Sequence, residues 1–306
     1  MSAAGLTEVS AEVSTEVSTG ARAAGLDDGR DWRVVRGRVG TWLGVGAVLV
    51  YCLAPFYWMV VSSLRRTADI FAMTPVPAPL SLENYAAVFD PKLGFGRALL
   101  NSTIVAGTTT VLALAIGTTT AYALARLEFR YKQLLLTAVI ATAMFPTVTL
   151  AVPLLKLFTS IGWINTYQGL IAPTLSFALP LAVWNLTSFF QQMPRDLESA
   201  AMIDGCTRGR AFRLVILPIA APGVFTTAIL TFFGAWNEFL VAVTFANRPD
   251  IQTATAAVSK FTGATQFDTP FGTQMAAGVI VTIPLVLLVL LFQRRIVAGL
   301  SAGAEK

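Results

Sequence analysis

The chain has 306 residues, of which 55% are hydrophobic and only 13% charged, and its mean hydropathy is +0.67. That excludes an ordinary soluble domain, where about a quarter of residues are charged, and makes the chain an integral membrane protein. The net charge of +5 with no histidine excludes a His general base or His metal site, and the basic balance fits lysines and arginines kept on one side of a membrane better than a nucleic-acid partner.

The first 38 residues are polar, and "TEVSAEVSTEVSTG" is rich in Ser, Thr and Glu. Residues 1–38 therefore read as a disordered cytoplasmic tail rather than a secretory signal, and residues 39–306 as the membrane domain. Spanning a bilayer takes about 20 largely apolar residues. Six segments qualify: Thr41 to Ser63, Ala98 to Ala125, Leu134 to Leu155, Gln168 to Phe190, Pro222 to Ala246 and Gln274 to Phe292. The third, fourth and sixth carry prolines (Pro146 and Pro153, Pro173 and Pro180, Pro284), which membrane helices tolerate where neighbours or water satisfy the freed carbonyls. The fold class is an all-α integral membrane protein with six transmembrane helices.

Both ends in the cytoplasm leave only Arg65, Arg66, Lys92, Arg97, Lys156, Arg248 and Lys260 of the 22 Lys and Arg outside, so the positive-inside rule selects an N-in, C-in arrangement. Arg65 and Arg66, directly after the first span, are its main dissent. Leu64 to Gly96 and Asn247 to Gly272 then face outside. In the second span "GTTT" occurs at Gly107 to Thr110 and again at Gly117 to Thr120; small residues and threonines so placed favour close helix packing over a polar pathway.

Cys52 and Cys206 make no disulfide framework. Cys206 lies in the polar interruption between the fourth and fifth spans, residues 193–220. There Asp196 can cap a helix from Leu197 to about Asp204, with Gly205 taking the left-handed conformation that ends it. Thr207 can cap a second helix whose apolar face is Phe212, Val215 and Ile216, ending at Pro218, with Arg208, Arg210 and Arg213 on the other side. The pair is too short and polar to span and suits the cytoplasmic mouth of the bundle.

The stretch "ESAAMIDG", followed by "FRLVILP", resembles the EAA loop of binding-protein-dependent ABC importer permeases. "AWNEFLVAVTF" and the tail "FQRRIVAGLSAGAEK" are similar to carbohydrate permeases of the maltose-importer kind, and "ALARLEF", "SFALPLAVW", "FTGATQF" and "QRRIVAGL" to trehalose and maltose-type permeases. The resemblance runs from about Thr41 to the end, with a core at about 96–295. It implies the second permease subunit of a pair in a bacterial inner membrane. Its partners would be a homologous permease, a cytoplasmic ATPase dimer, an extracytoplasmic sugar-binding protein and the lipid bilayer. The loop's first helix becomes a coupling helix seated in a cleft of the ATPase, and the residues carried over are Glu198, Ser199, Ala200, Ala201, Asp204 and Gly205. Ser199 stands where the family usually has glutamate. Glu198 and Asp204 are expected to carry the polar docking, and Gly205 the close approach.

For the translocation path, Glu238 and Asn237 lie about 22 Å into the fifth span, and an ionisable residue inside a span is a functional candidate. Trp184, Asn185 and Trp236 supply stacking and hydrogen-bonding groups for a sugar. The chain lacks G-x-x-x-x-G-K-[ST], so it holds no phosphate-cradling loop; no catalytic residue, cofactor or metal is expected. A stand-alone ion-coupled transporter is the alternative, but it should show acidic relays and related halves.

Overall fold

The computed structural model describes residues 28–261 and 270–304, and every regular element among them is helical. Residues 1–27 of the expected tail, and the stretch 262–269 inside the last long loop, lie outside the described residues. The chain divides into two units, residues 1–58 and 59–306. The helix α1, Asp28–Ser63, begins eleven residues ahead of the expected boundary at 39 and holds all the described residues of the first unit. In that unit apolar side chains such as Trp42, Leu49 and Tyr51 are exposed, as suits a helix whose solvent is hydrocarbon.

The second unit contains α2 (Glu83–Val88), α3 (Phe95–Arg126), α4 (Lys132–Ala143), α5 (Thr147–Ser160), α6 (Tyr167–Gln192), α7 (Asp196–Ile203), α8 (Arg208–Ile219), α9 (Ala221–Trp236), α10 (Leu240–Phe245), α11 (Ala254–Ser259) and α12 (Phe271–Ala304). The bundle is organised on α3 and α6, which share the most extensive helix–helix packing; α9 packs on both and α12 on α9. Small residues explain this closeness. Ala106, Ala113, Gly117, Ala121 and Ala125 form a buried stripe on α3, mostly at four-residue spacing, the small-residue pattern that lets membrane helices approach. A β-carbon on Gly117 would sit 3.4 Å from the Ala182 β-carbon, so the second "GTTT" marks a packing position.

Among the described residues four helices are long and apolar enough to cross a membrane, or up to six if each of two bent pairs is one span. The third expected span is not one helix: α4 and α5 meet at 87°. The break falls at Pro146, which precedes α5 in an extended conformation, whereas Pro153 sits inside α5. A proline disfavours the α region for the residue before it, and neither half alone, at 12 and 14 residues, reaches across a hydrocarbon core of about 30 Å. Pro173, Pro180 and Pro284 are accommodated within continuous helices. The fifth expected span, Pro222 to Ala246, is likewise not one helix. α8 meets α9 at 73°, and α9 ends at Trp236, leaving Asn237 to Phe239 as a break before α10.

At the end of the bundle where α3 begins, buried amides fix the loops. Asn101 is fully buried; its amide donates to the carbonyls of Asp250 (3.0 Å) and Gln252 (2.9 Å), and its oxygen accepts from the Tyr167 hydroxyl at 2.7 Å. Ser102 Oγ accepts from the Ala254 N–H at 2.8 Å. Asn165, at φ 58, accepts from the N–H groups of Asn247 (2.6 Å) and Arg248 (2.9 Å). Nearby backbone is equally close: a β-carbon on Gly169 would lie 2.2 Å from the Trp163 carbonyl oxygen. Gly169→Ala must therefore move backbone rather than a side chain, and is expected to cost about 1–3 kcal/mol, measurable as earlier thermal unfolding of the detergent-solubilised chain.

Arg65 is buried, 2% exposed, and donates to the carbonyls of Ile70 and Thr74. Asn84 donates to the carbonyls of Ser63 (3.1 Å) and Arg65 (2.7 Å). Of the two arginines that dissent from the charge count, Arg65 is thus built into the loop after α1, while Arg66 is exposed.

Candidate functional site

α3 runs from Asn101 near one end of the bundle to Arg126 at the other, about 37 Å along its axis. The expected coupling hairpin, α7 and α8, lies at the Arg126 end. α7 spans Asp196–Ile203, Asp204 is its C-cap, and Gly205 follows at φ 85, the left-handed conformation expected of it. Thr207 caps α8, its oxygen accepting from the Arg210 N–H at 3.4 Å. Asp196 does not cap α7. Arg195 already has helical angles, and its carbonyl accepts from the N–H groups of Glu198 and Ser199, so the helix starts one residue early and Asp196 falls in its first turn, where a carboxylate suits the positive end of the helix dipole.

α8 does not end at Pro218. It passes through a π-helical turn, Phe212–Ile216, in which the Leu217 N–H bonds back to the Phe212 carbonyl. A π-turn shifts the hydrogen-bond ladder just ahead of a residue with no N–H to give, and the helix continues to Ile219. Ile216 is fully buried with Phe212 and Val215 packed beside it, while Arg208, Arg210 and Arg213 are exposed, the amphipathic division expected.

The hairpin is tied to the bundle from within. Leu197 packs against the core formed by Ala121, Ala125, Leu186, Phe190, Met193, Ile216 and Ala220, and Ala201 is buried. Glu198 turns inward: its Oε1 lies 2.6 Å from Arg126 Nε, with the two side chains 17% and 5% exposed, an ion contact rather than an aligned hydrogen bond. Arg126 also donates to the Met193 carbonyl at 3.1 Å. A second pair runs the opposite way: Arg195 Nη1, at the start of α7, donates to Glu128 Oε1, just after α3, at 2.9 Å. That hydrogen bond and the arginine's charge hold the exposed Glu128 carboxyl below its ordinary value. Tyr122 fills the angle between the helices, its ring 4.4 Å from Phe212 and 5.8 Å from Phe190.

The outer face of α7 consists of Ser199, Ala200, Met202, Ile203 and Asp204, with Gly205 beyond it, all exposed. Met202 and Ile203 are 41% and 85% exposed; a search for polar docking groups passes over them, although an apolar pair on a short polar hairpin was the available signal. A cavity of about 370 Å³ lies between α3, α7 and α8; it is lined by Tyr122, Arg126, Glu198 and Arg208 and, from the exposed residues of α7, by Ser199 and Met202.

The five expected path residues divide. Trp184 is half exposed, and Asn185 donates to Thr227 Oγ1 at 3.1 Å. Trp236 is buried, 3% exposed, stacks on Phe232 at 5.5 Å and donates to the Val281 carbonyl at 3.3 Å. Asn237 is exposed and donates to the Phe233 carbonyl at 2.9 Å. Glu238 lies in the break after α9 and accepts from the N–H groups of Val241 (2.9 Å) and Ala242 (3.3 Å), fixing the start of α10. The residues do not form one cluster: Asn185 meets Thr227, which precedes Asn237 by about 15 Å along α9.

The family model for "Binding-protein-dependent transport system inner membrane component" matches residues 113–302. The chain is 44% identical to the trehalose transport system permease protein SugB of Mycobacterium tuberculosis over 259 residues, 85% of this chain and 94% of that one. It is 42% identical to the trehalose/maltose transport system permease protein MalG of Thermococcus litoralis over 265 residues, 86% of this chain and 95% of that one. A bacterial ABC transporter involved in the import of the acidic polysaccharide alginate shares the fold, with TM-score 0.73 at 18% identity over 89% of this chain and 99% of that one. A second match, TM-score 0.63 at 14% identity, covers 87% of this chain and 96% of a chain from an alginate ABC transporter in complex with an alginate pentasaccharide-bound periplasmic protein.

Proposed function

Because the chain belongs to the binding-protein-dependent transport system inner membrane component family, we propose that it is one of two permease subunits of an ATP-driven sugar importer, carrying a disaccharide or oligosaccharide of the trehalose or maltose class. The observation that carries this reading is the alignment at more than 40% identity with the trehalose and trehalose/maltose permeases along nearly their whole length. A sugar-loaded binding protein delivers substrate from outside, a homologous permease completes the pathway, and an ATPase dimer works from the cytoplasm. The chain is N-in, C-in, and a reporter fused at Thr74 is expected to report the outer side.

The α7 hairpin is the coupling element. Ser199, Ala200 and Asp204 with Met202 and Ile203 face the ATPase, Gly205 lets its surface approach, and Glu198 and Ala201 hold the helix to the bundle. Trp184, Asn185 and Asn237 face the sugar's route, while Trp236 and Glu238 support it by fixing α9 to α12 and α10 in place.

Proteoliposomes containing the chain with its partner permease, ATPase and binding protein are expected to accumulate labelled trehalose or maltose only with internal ATP and external binding protein. Uptake driven by an ion gradient through this chain alone would replace the reading with a secondary transporter.

A further inference from the structure

The junction of α3 and α7 holds two ion pairs of opposite polarity. α3 presents the cation Arg126 to the anion Glu198 of α7, and the segment following α3 presents the anion Glu128 to the cation Arg195 that opens α7. The inner pair is screened from solvent and the outer pair exposed. Reversed polarity fixes orientation as well as proximity: reversing α7 end to end would set Arg195 opposite Arg126 and Glu198 opposite Glu128, and unpairing the screened Arg126–Glu198 contact would strand a charge away from water. Arg126 adds a third hold through the Met193 carbonyl at the end of α6.

We propose that these two pairs are a clamp that makes the α7 hairpin and α3 move as one body, so that displacement of α7 by its partner is delivered along α3 into α6 and α9. This rests on the permease reading above. α3 is the element suited to receive such a motion, because it makes the bundle's main helix–helix contacts and is seated on α6 by close small-residue packing at Gly117 and Ala182. Arg126, Glu198, Glu128 and Arg195 are positioning residues; none is needed to touch sugar or nucleotide. The clamp also accounts for Glu198 being screened while its neighbour Ser199 is exposed.

The test is a bridge across the exposed pair in the assembled transporter. Cys52 and Cys206 are replaced by Ser, Glu128→Cys and Arg195→Cys are introduced, and the two thiols are joined by a bifunctional methanethiosulfonate that reductant removes. A body that stays clamped throughout the cycle tolerates the bridge, so ATP- and binding-protein-dependent uptake is expected to stay within about two-fold of the unbridged protein, since fixing a contact already closed biases no equilibrium. Loss of uptake on bridging, restored by reductant, would overturn the clamp by showing that α7 must part from α3.

The charge test is independent. Arg126→Glu and Glu198→Arg are each expected to lower uptake roughly ten-fold or more by opposing like charges at a screened site, and the double exchange to recover most of it. Singles that transport normally, or a double exchange as inactive as the singles at equal membrane abundance, would overturn the clamp. Absence of ATP- and binding-protein-dependent uptake in the unmodified protein would instead remove the permease reading itself.

Discussion

Gly205→Asp is expected to leave the chain folded and abundant in the membrane while reducing ATP-dependent uptake roughly ten-fold or more, the effect of overpacking an interface by about 1–3 kcal/mol. The reasoning separates the chain from its partner. Gly205 has φ 85, but Asp and Asn tolerate the left-handed region better than other residues with a β-carbon, and a β-carbon there would meet nothing within 4 Å in this chain. Its internal cost is therefore the backbone strain of a positive φ, about 1–3 kcal/mol, with no clash added, and a large loss of uptake by a chain that stays folded and abundant must come from a surface that approaches the hairpin from outside. Gly205→Asn should repeat the steric effect without the charge, whereas Gly205→Val, β-branched and poorly suited to positive φ, should also destabilise the turn. Uptake, thermal stability of the purified chain and co-purification with the ATPase distinguish these outcomes. Normal uptake by the aspartate variant with the ATPase bound would remove the hairpin from the coupling role.

What was legible in the sequence follows from the range of each interaction. Hydropathy over about 20 residues locates the four long apolar helices and the apolar regions that hold the two bent pairs, and local chemistry locates the hairpin: Thr207 caps α8 and Gly205 takes positive φ because each depends on its immediate neighbours. The prolines could not be ranked in advance. Pro146 marks an 87° break while Pro173, Pro180 and Pro284 sit inside continuous helices, and what distinguishes them is the packing around each one. Glu198 shows the same limit. Its spacing from Leu197 and Ala201 puts it near the inward face of α7, but the cation that receives it, Arg126, stands far away in the chain, and no local pattern links the two. Residue type makes Trp236 and Glu238 candidates for the sugar path but does not disclose their partners within the chain, the Val281 carbonyl for the first and the N–H groups that open α10 for the second.

Asn101→Leu is expected to be the most destabilising single change at the opposite end of the bundle. Leucine approximates the shape of asparagine but offers no donor or acceptor, so the carbonyls of Asp250 and Gln252 and the hydroxyl of Tyr167 all lose their bond to this residue. Each polar group left unsatisfied in a buried site costs about 1–3 kcal/mol, and the three share one network, so their loss is a single cooperative event of several kcal/mol rather than a sum. Asn101→Asp discriminates the parts: it keeps an acceptor for Tyr167 but loses the amide donor, and should fall between leucine and wild type only if the two carbonyl bonds do not dominate. The loop released is 246–261, on the side assigned to the binding protein. Asn101→Leu should therefore increase proteolytic cleavage within that loop and lower binding-protein-stimulated ATPase activity, while the basal ATPase activity of the assembled complex, set at the α7 end, changes less. Equal loss of basal and stimulated activity at unchanged protein level would show that the two ends are not separable in this way, and unchanged cleavage would show that Asn101 does not hold the loop.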